Sequence, residues 1–220
     1  MLYIVSTPIG NLKDITYRAV EILKSVSLIA AEDTRHTKIL LDHYGIKVPT
    51  TSYFEHNEVK KSGYLLELLQ DGKDIALVSD AGTPGLSDPG FTLIRLAHAN
   101  NILVTVIPGV SAAVTALTAS GLPSHAFVFE GFLPVKPGAR RKKLESFKDE
   151  SRTVIFYESP HRVLKTLKDM VDVLDNPVVV FARELTKKFE EVKKSSAQEM
   201  LEHFTAHPPK GEFVLLLQPR

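Results

Sequence analysis

The sequence predicts an α/β protein built as two lobes. Short apolar runs of strand length recur along the 220 residues, and the pieces between them space their apolar residues as helices do. Near the middle, a helix of small residues, Val110–Ser120, runs into a Gly121-Leu122-Pro123 break. Strands alternating with helices imply sheets that are at least partly parallel. The expected strands are Leu2–Ser6, Ser27–Ala31, Asp74–Ser79 and Ile102–Ile107 in the first half. In the second half they are Ala126–Gly131, Thr153–Tyr157, Pro177–Ala182 and Glu212–Leu217. Helical spacing is clearest over Ile15–Leu23, around Tyr64, Leu65, Leu68 and Leu69, and from Val163 to Leu174. The expected division is an N-terminal α/β domain over 1–112, a linker helix and turn over 113–123, and a C-terminal α/β domain over 124–220. The two halves show no clear internal repeat.

Composition narrows the chemistry. With 44% hydrophobic and 24% charged residues, the chain has an ordinary globular balance and enough length to bury a core. It has no cysteine, which excludes disulfides, thiol catalysis and Cys-ligated zinc or iron–sulfur centres and fits a cytoplasmic location. The opening Met1–Asn11 segment goes directly into a strand-like run, unlike a secretory leader, and no apolar run reaches membrane-spanning length. The net charge of +1 leaves RNA binding open, because that depends on a local basic patch.

In open α/β sheets, ligands bind beyond the carboxyl ends of strands. Four loops there are rich in small and turn-forming residues: Thr7–Leu12, Ser79–Gly90, Pro108–Ala113 and Tyr157–Arg162. Glycine lets backbone approach a ligand closely. Asp80 can accept hydrogen bonds from an amine or hydroxyls, or face a positive sulfonium. Each loop, taken singly, also reads as a tight strand-to-helix turn with an N-cap such as Ser111 or Asp88. No GxGxxG follows a strand and no GxxxxGK[ST] occurs. Gly109-Val110-Ser111-Ala112-Ala113 lacks the second glycine of a nucleophile elbow, so Ser111 is a poor nucleophile. His203 and His207 stand i, i+4 without an HExxH pattern, which favours a solvated helix face over a metal site.

Taken in order, these segments resemble the signatures of the ribosomal RNA small-subunit methyltransferase I (RsmI) family, within the tetrapyrrole-methylase superfamily. The matching stretches are Thr7–Asp14, Ala31–Arg35, Ser79–Gly90, Pro108–Leu122, Gly131–Pro134, Glu158–Arg162, Arg183–Lys187 and Lys210–Phe213, and they cover essentially the whole chain. The resemblance implies two α/β lobes of the tetrapyrrole-methylase fold with S-adenosylmethionine in the interdomain cleft. It implies a homodimer that methylates a cytidine ribose 2′-oxygen of small-subunit ribosomal RNA, near the decoding centre. It places Pro8, Gly10, Asp80, Ala81, Gly82, Ser111, Ala112, Phe156, Tyr157, Leu185, Gly211 and Glu212 around the cofactor. Family members carry a further short C-terminal region, whereas this sequence ends at Arg220; a truncated form and a short relative both fit. Lys193-Lys194-Ser195-Ser196 also lacks a glycine expected after the glutamates.

A ribose hydroxyl is a weak nucleophile, so a general base helps. The candidates are Glu32, Asp33, Asp88, Glu184 and Lys187, with Glu184, Lys187 and Asp33 put forward first; Arg183, Glu184 and Lys187 also read as a structural ion-pair network. Phosphate contacts fall to Lys13, Arg35, Arg140, Arg141 and Lys142, the last three within the basic run Lys136–Lys143, which also reads as a solvated helix face. No metal is called for. The competing readings are a tetrapyrrole methyltransferase and a nonenzymatic RNA-binding relative.

Overall fold

A computed structural model describes residues 1–218. The chain divides into two compact units, Met1–Ser111 and Ala112–Arg220. The first unit runs β1 (Leu2–Val5), α1 (Tyr17–Ser25), β2 (Leu28–Ala31), α2 (Thr34–His43), β3 (Thr50–Ser52), α3 (Glu58–Gln70), β4 (Ile75–Val78), α4 (Phe91–Ala99) and β5 (Val104–Ile107). Its sheet has the order β3-β2-β4-β1-β5, with every neighbouring pair parallel.

A parallel sheet needs a crossover for each strand, and the crossover helices cover both faces. That is why its strands read as nearly unbroken apolar runs. Side chains still alternate along each strand. Leu2 and Ile4 of β1, with Ile75 and Leu77 of β4, join Leu65, Leu69 and Leu93 of α3 and α4. Val5, Ala76 and Val78 face the other way, onto Ala19, Leu23, Leu40 and Leu41 of α1 and α2. Helix starts follow from local chemistry. Thr16 accepts from the Ala19 amide at 3.1 Å and Asp33 from the Arg35 amide at 2.8 Å, each satisfying an orphan donor of a first turn.

The second unit runs α5 (Ala112–Ser120), β6 (Phe127–Phe132), α6 (Pro137–Glu145), β7 (Thr153–Glu158), α7 (Val163–Leu174), β8 (Val178–Arg183), β9 (Glu191–Ser196), α8 (Ala197–Ala206) and β10 (Phe213–Leu217). The sheet order is β6-β7-β10-β8-β9; β6 and β7 pair parallel, and the remaining pairs are antiparallel. Val154, Phe156, Phe181 and Leu215 form one face of this sheet, packed with Leu167, Met170, Met200 and Phe204 of α7 and α8. Ile155, Val180 and Leu216 alternate to the opposite face and are fully buried. The helix that the sequence suggests as a linker is α5, and it lies against β7, β8, β9 and β10. Its small residues Ala113 and Ala116 let it approach closely.

Two strands, β3 and β9, have no counterpart among the expected ones. Both are sheet edges with polar sequences, Thr50-Thr51-Ser52 and Glu191-Val192-Lys193-Lys194-Ser195-Ser196. An edge strand borrows its stability from the neighbour it pairs with, so it needs no apolar run of its own.

The basic run forms α6, and its arginines depart from the expected phosphate contacts. Arg140 is only 4% exposed, with Nε and Nη2 both 2.7 Å from Asp169 Oδ2 of α7. Arg141 Nη1 lies 2.9 Å from both Asp169 and Asp172. These two arginines hold α6 to α7, so their charge is matched internally before any phosphate arrives. Lys142 stays exposed, while Lys143 pairs with Glu130 at 2.6 Å. Breaking a buried ion pair leaves a lone charge in a poor solvent. Arg140→Ala is therefore expected to cost about 3 kcal/mol, and Arg141→Ala, at an exposed and solvent-screened pair, much less. Urea unfolding of the two variants checks this; equal midpoints would show that burial does not distinguish them.

Candidate active site

Parallel pairing puts the carboxyl ends of β1, β2, β4 and β5 on one edge of the first sheet, where four of the distinctive segments begin. Thr7 and Gly82 form a two-bond antiparallel bridge, with Thr7 N to Gly82 O at 2.8 Å and Gly82 N to Thr7 O at 3.1 Å. The Thr7 hydroxyl donates to the Ser79 carbonyl at 3.0 Å, and Ser6 Oγ sits 2.8 Å from Thr83 Oγ1. Gly82 takes φ +78, a conformation that other L residues rarely adopt. At Gly109 the requirement is space, because an added Cβ would stand 2.8 Å from Ser6 Cβ.

Carboxylates gather on this edge. The Asp33 amide donates to Asp80 Oδ1 at 3.1 Å, and the Asp80 amide donates to Glu32 Oε2 at 3.3 Å. Asp88, on the same loop as Asp80, bonds to Ser79. Burial pushes the Asp88 pKa up, and the charges of Glu32 and Asp80 add to that against the Ser79 bond, bringing it to about 7. Burial also raises Glu32; the Asp80 amide and His36 pull against it, and the charges of Asp80 and Asp33 push with it. Asp33 behaves oppositely. The Arg35 side chain and amide both bond to it and hold it far below the ordinary carboxylate range. A carboxylate so strongly held as an anion, and already committed to a helix cap, is a poor proton acceptor. Asp33 is thus shifted away from proton acceptance, and its neighbours Asp88 and Glu32 are shifted toward holding a proton.

The second unit joins its distinctive segments in the same manner. Arg162 Nη2 donates to the Leu133 carbonyl at 2.6 Å, tying the loop after β7 to the loop after β6. Glu158, 2% exposed, accepts from the Ser159 amide and the Thr166 hydroxyl and lies 3.4 Å from Arg162 Nε. Lys187 Nζ reaches Glu184 Oε1 at 3.0 Å and Glu212 Oε2 at 2.9 Å, and the Glu212 amide donates to Glu184 Oε1 at 3.1 Å. Burial lowers the Lys187 pKa, but Glu212 and Glu184 outweigh it and raise it. Burial likewise raises Glu184, and the Lys187 bond and Glu212 amide reverse this to a net lowering. Each group is thus held in its charged form, the wrong state for Lys187 to act as a base. This network links the 183–187 turn to Gly211-Glu212 through the backbone as well, with Glu184 N to Glu212 O at 3.1 Å. Glu184 and Thr186 take φ +49 and +66 within that turn, the latter an outlying conformation for a β-branched residue.

The remaining expected residues divide by exposure. Gly10 and Ala81 are exposed; Asp80, Ser111, Ala112, Tyr157 and Gly211 are half-buried, and Glu212 is exposed. Pro8 and Leu185 are buried. Phe156 is 0% exposed within the sheet's helix-covered face, so its ring is core, not a cofactor contact. Tyr157, the next residue, points to the opposite face, where its ring meets Phe129 and Phe132 edge-on at 5.0 and 5.6 Å. Lys13 is exposed, and Arg35 is exposed but paired with Asp33 at 2.8 Å. His203 and His207 stack ring on ring at 5.0 Å along α8. The sequence offers no signal for Tyr53 and Glu58, whose contacts with the start of α4 appear only in three dimensions.

Strand carboxyl ends, a glycine-bearing loop and a half-buried aspartate together describe a ligand-binding α/β enzyme. A family model described as tetrapyrrole (corrin/porphyrin) methylases matches residues 1–201. Solved structures share the fold: the methyltransferase CobJ has a TM-score of 0.73 at 18% identity, covering 99% of this chain and 93% of that one. Uroporphyrin-III C-methyl transferase from Thermus thermophilus, solved with S-adenyl homocysteine, has a TM-score of 0.68 at 17% identity, covering 98% and 96%. More similar in sequence is ribosomal RNA small subunit methyltransferase I of Haemophilus influenzae, 52% identical over 99% of this chain and 78% of that protein. The Escherichia coli O157:H7 protein of the same name is 51% identical over 99% of this chain and 77% of its own length. The chain belongs to the ribosomal RNA small subunit methyltransferase I family of the tetrapyrrole methylases.

The raised Asp88 pKa carries a stability consequence. An unfolded aspartate titrates near ~3.9, and the folded one near about 7. Between those values the folded state holds a proton that the unfolded chain has lost, so stability falls as pH rises from about 4 to about 7. Asp88→Asn removes that cost. The variant is expected to melt a few degrees (~2–4 °C) above the parent at pH 8 and level with it near pH 4. Melting curves at the two pH values check this, and a gain of equal size at both would contradict it.

Proposed function

We propose that this chain methylates a cytidine ribose 2′-oxygen in the RNA of the small ribosomal subunit, with S-adenosylmethionine as donor. The observation that carries the acceptor is the identity of about half, over 99% of the chain, to proteins named for small-subunit ribosomal RNA. The donor suits the side chains on the carboxyl edge of the first sheet. Asp80, with Glu32 and Asp88 on the same edge, offers carboxylate oxygens to a cation carrying an amine and a sulfonium, and a bound positive charge would favour their ionised forms. When bound, the donor supplies an electrophilic methyl group.

The chain's own residues then have separable tasks. Asp80, Ala81 and Gly82 offer a carboxylate, a small side chain and close backbone approach to the donor, with Pro8 and Gly10 beneath them and Ser111 and Ala112 on the next loop. Asp88, whose pKa sits near the working pH, takes the proton that the ribose hydroxyl gives up as its oxygen bonds to carbon. General-base assistance of this kind is typically worth ~10²–10⁴-fold. Glu32, also shifted upward by burial, is the second carboxylate placed to accept that proton. Exposed Lys13 and Lys142 supply phosphate contacts. The tetrapyrrole alternative rests on structures under 20% identical, which carry the fold alone. We also infer a homodimer working in the cytoplasm; among the described residues no helix is long and apolar enough to cross a membrane.

Incubation with purified small ribosomal subunits and tritiated donor tests the activity. Label recovered as a 2′-O-methylated cytidine supports it, and label in an added tetrapyrrole but not in RNA overturns it. Asp80→Ala is expected to weaken donor binding at least ~10-fold while leaving the circular dichroism unchanged, and Asp88→Asn to lower kcat by ~10²-fold with donor affinity retained. Calorimetric titration and single-turnover kinetics separate the two effects.

A further inference from the structure

Helix α4 begins where the Ser79–Gly90 loop ends, and its first turn has an unusual cap. The N-cap residue is Gly90, which has no side chain to accept from the first-turn amides. The position cannot carry one. Gly90 takes φ +151, and an added Cβ would stand 3.0 Å from the Gly85 nitrogen and 3.3 Å from Leu77 Cδ2. Serine, threonine or aspartate, the ordinary caps, are therefore barred by the loop's own closure.

The acceptors come from another element. Glu58 Oε1, at the start of α3, accepts from the Gly90 amide and the Thr92 amide, each at 3.1 Å. The fully buried Tyr53 donates its hydroxyl to the same oxygen at 3.1 Å and takes the Leu93 amide at 3.3 Å. Ser62 Oγ lies 2.9 Å from that hydroxyl. We propose that Glu58 is a positioning residue for methyl transfer: by capping α4 in place of Gly90, it fixes the loop that carries Asp80 and Asp88.

The loop needs such an anchor. Its beginning is tied by the Thr7–Gly82 bridge and the Ser6–Thr83 contact. Beyond them, Leu86 and Ser87 are exposed, and Ser87 takes φ +68. Asp88 lies only two residues before Gly90, so a displacement of Gly90 carries Asp88 with it. Glu58 itself is spent on amides and a hydroxyl, which leaves it a role through the loop rather than on substrate. A carboxylate also suits the positive end of a helix better than a neutral group, and it holds the amides more firmly.

The inference rests on the reading of Ser79–Gly90 as the reaction loop, so the test carries a control for that reading. Glu58→Ala, Glu58→Gln and Asp80→Ala would be compared in the full chain, with small ribosomal subunits and tritiated donor, by kcat, donor affinity, melting temperature and the pH midpoint of kcat. Glu58→Ala is expected to lower kcat ~10- to 100-fold, the scale of a misplaced catalytic group, and to move the pH midpoint as Asp88 leaves its place. Glu58→Gln, whose amide oxygen still accepts from both backbone groups, is expected to recover most of kcat. If Glu58→Ala does not fold, Glu58→Asp, one carbon too short to reach both amides, is expected to show the same change at smaller size. Wild-type kcat and pH midpoint in Glu58→Ala, even with a lowered melting temperature, would reduce the contact to a structural cap and overturn the proposal. Unchanged donor affinity in Asp80→Ala would instead remove the loop reading beneath it.

Discussion

The parallel pairing of β1 between β4 and β5 is the constraint from which the site follows. With all strands of the first sheet running one way, every strand-to-helix loop of one kind emerges on the same edge. Residues as distant as Thr7, Glu32, Asp80 and Gly109 become neighbours of one rim without any designed long-range attraction. The Thr7–Gly82 bridge then converts adjacency into fixed geometry, since two reciprocal backbone bonds leave little freedom between the loops after β1 and β4. The carboxylates that this rim collects cannot all stay charged at little cost. Burial, with the neighbouring carboxylate charges adding to it, shifts Asp88 and Glu32 upward, while Arg35 holds Asp33 as an anion.

In the second unit the sheet is mostly antiparallel, and its distinctive segments are joined in pairs instead of along a rim. One guanidinium, that of Arg162, explains why Glu158–Arg162 and Gly131–Pro134 occur together: it holds the loops that carry them. One ammonium, that of Lys187, does the same for Arg183–Lys187 and Lys210–Phe213. These charges serve architecture. Of the ion-pair network that the sequence offered over Arg183, Glu184 and Lys187, the distances show the Glu184–Lys187 pair, while Arg183 pairs with Glu191 instead.

Much of the fold was legible because burial writes itself into the sequence. Stretches covered on both faces, such as Ile75–Val78 and residues 179–182, are apolar throughout and stand out. The edge strands Thr50–Ser52 and Glu191–Ser196 have no buried side chain, so they are polar and leave no such mark. The site divides along a similar line. Loops at strand ends are legible from their glycines and prolines, but partners separated by dozens of residues are not. Nothing near Glu58 announces that it caps a helix starting at Phe91, and nothing in Arg140-Arg141-Lys142-Lys143 announces that the first arginine points inward to Asp169. A basic run shows how much charge is present. Which way each side chain turns is decided by the face on which the helix lands.

The polar edge at β9 has a consequence during synthesis and storage. An edge strand exposes a row of unpaired amides and carbonyls, the template on which a second chain could grow a shared sheet. Here that row carries Lys193 and Lys194, both exposed, on consecutive positions and therefore on opposite faces of the strand. An identical strand that approaches the open edge in parallel register sets lysine against lysine on both faces. The lysines thereby discourage chains from joining edge to edge through this strand.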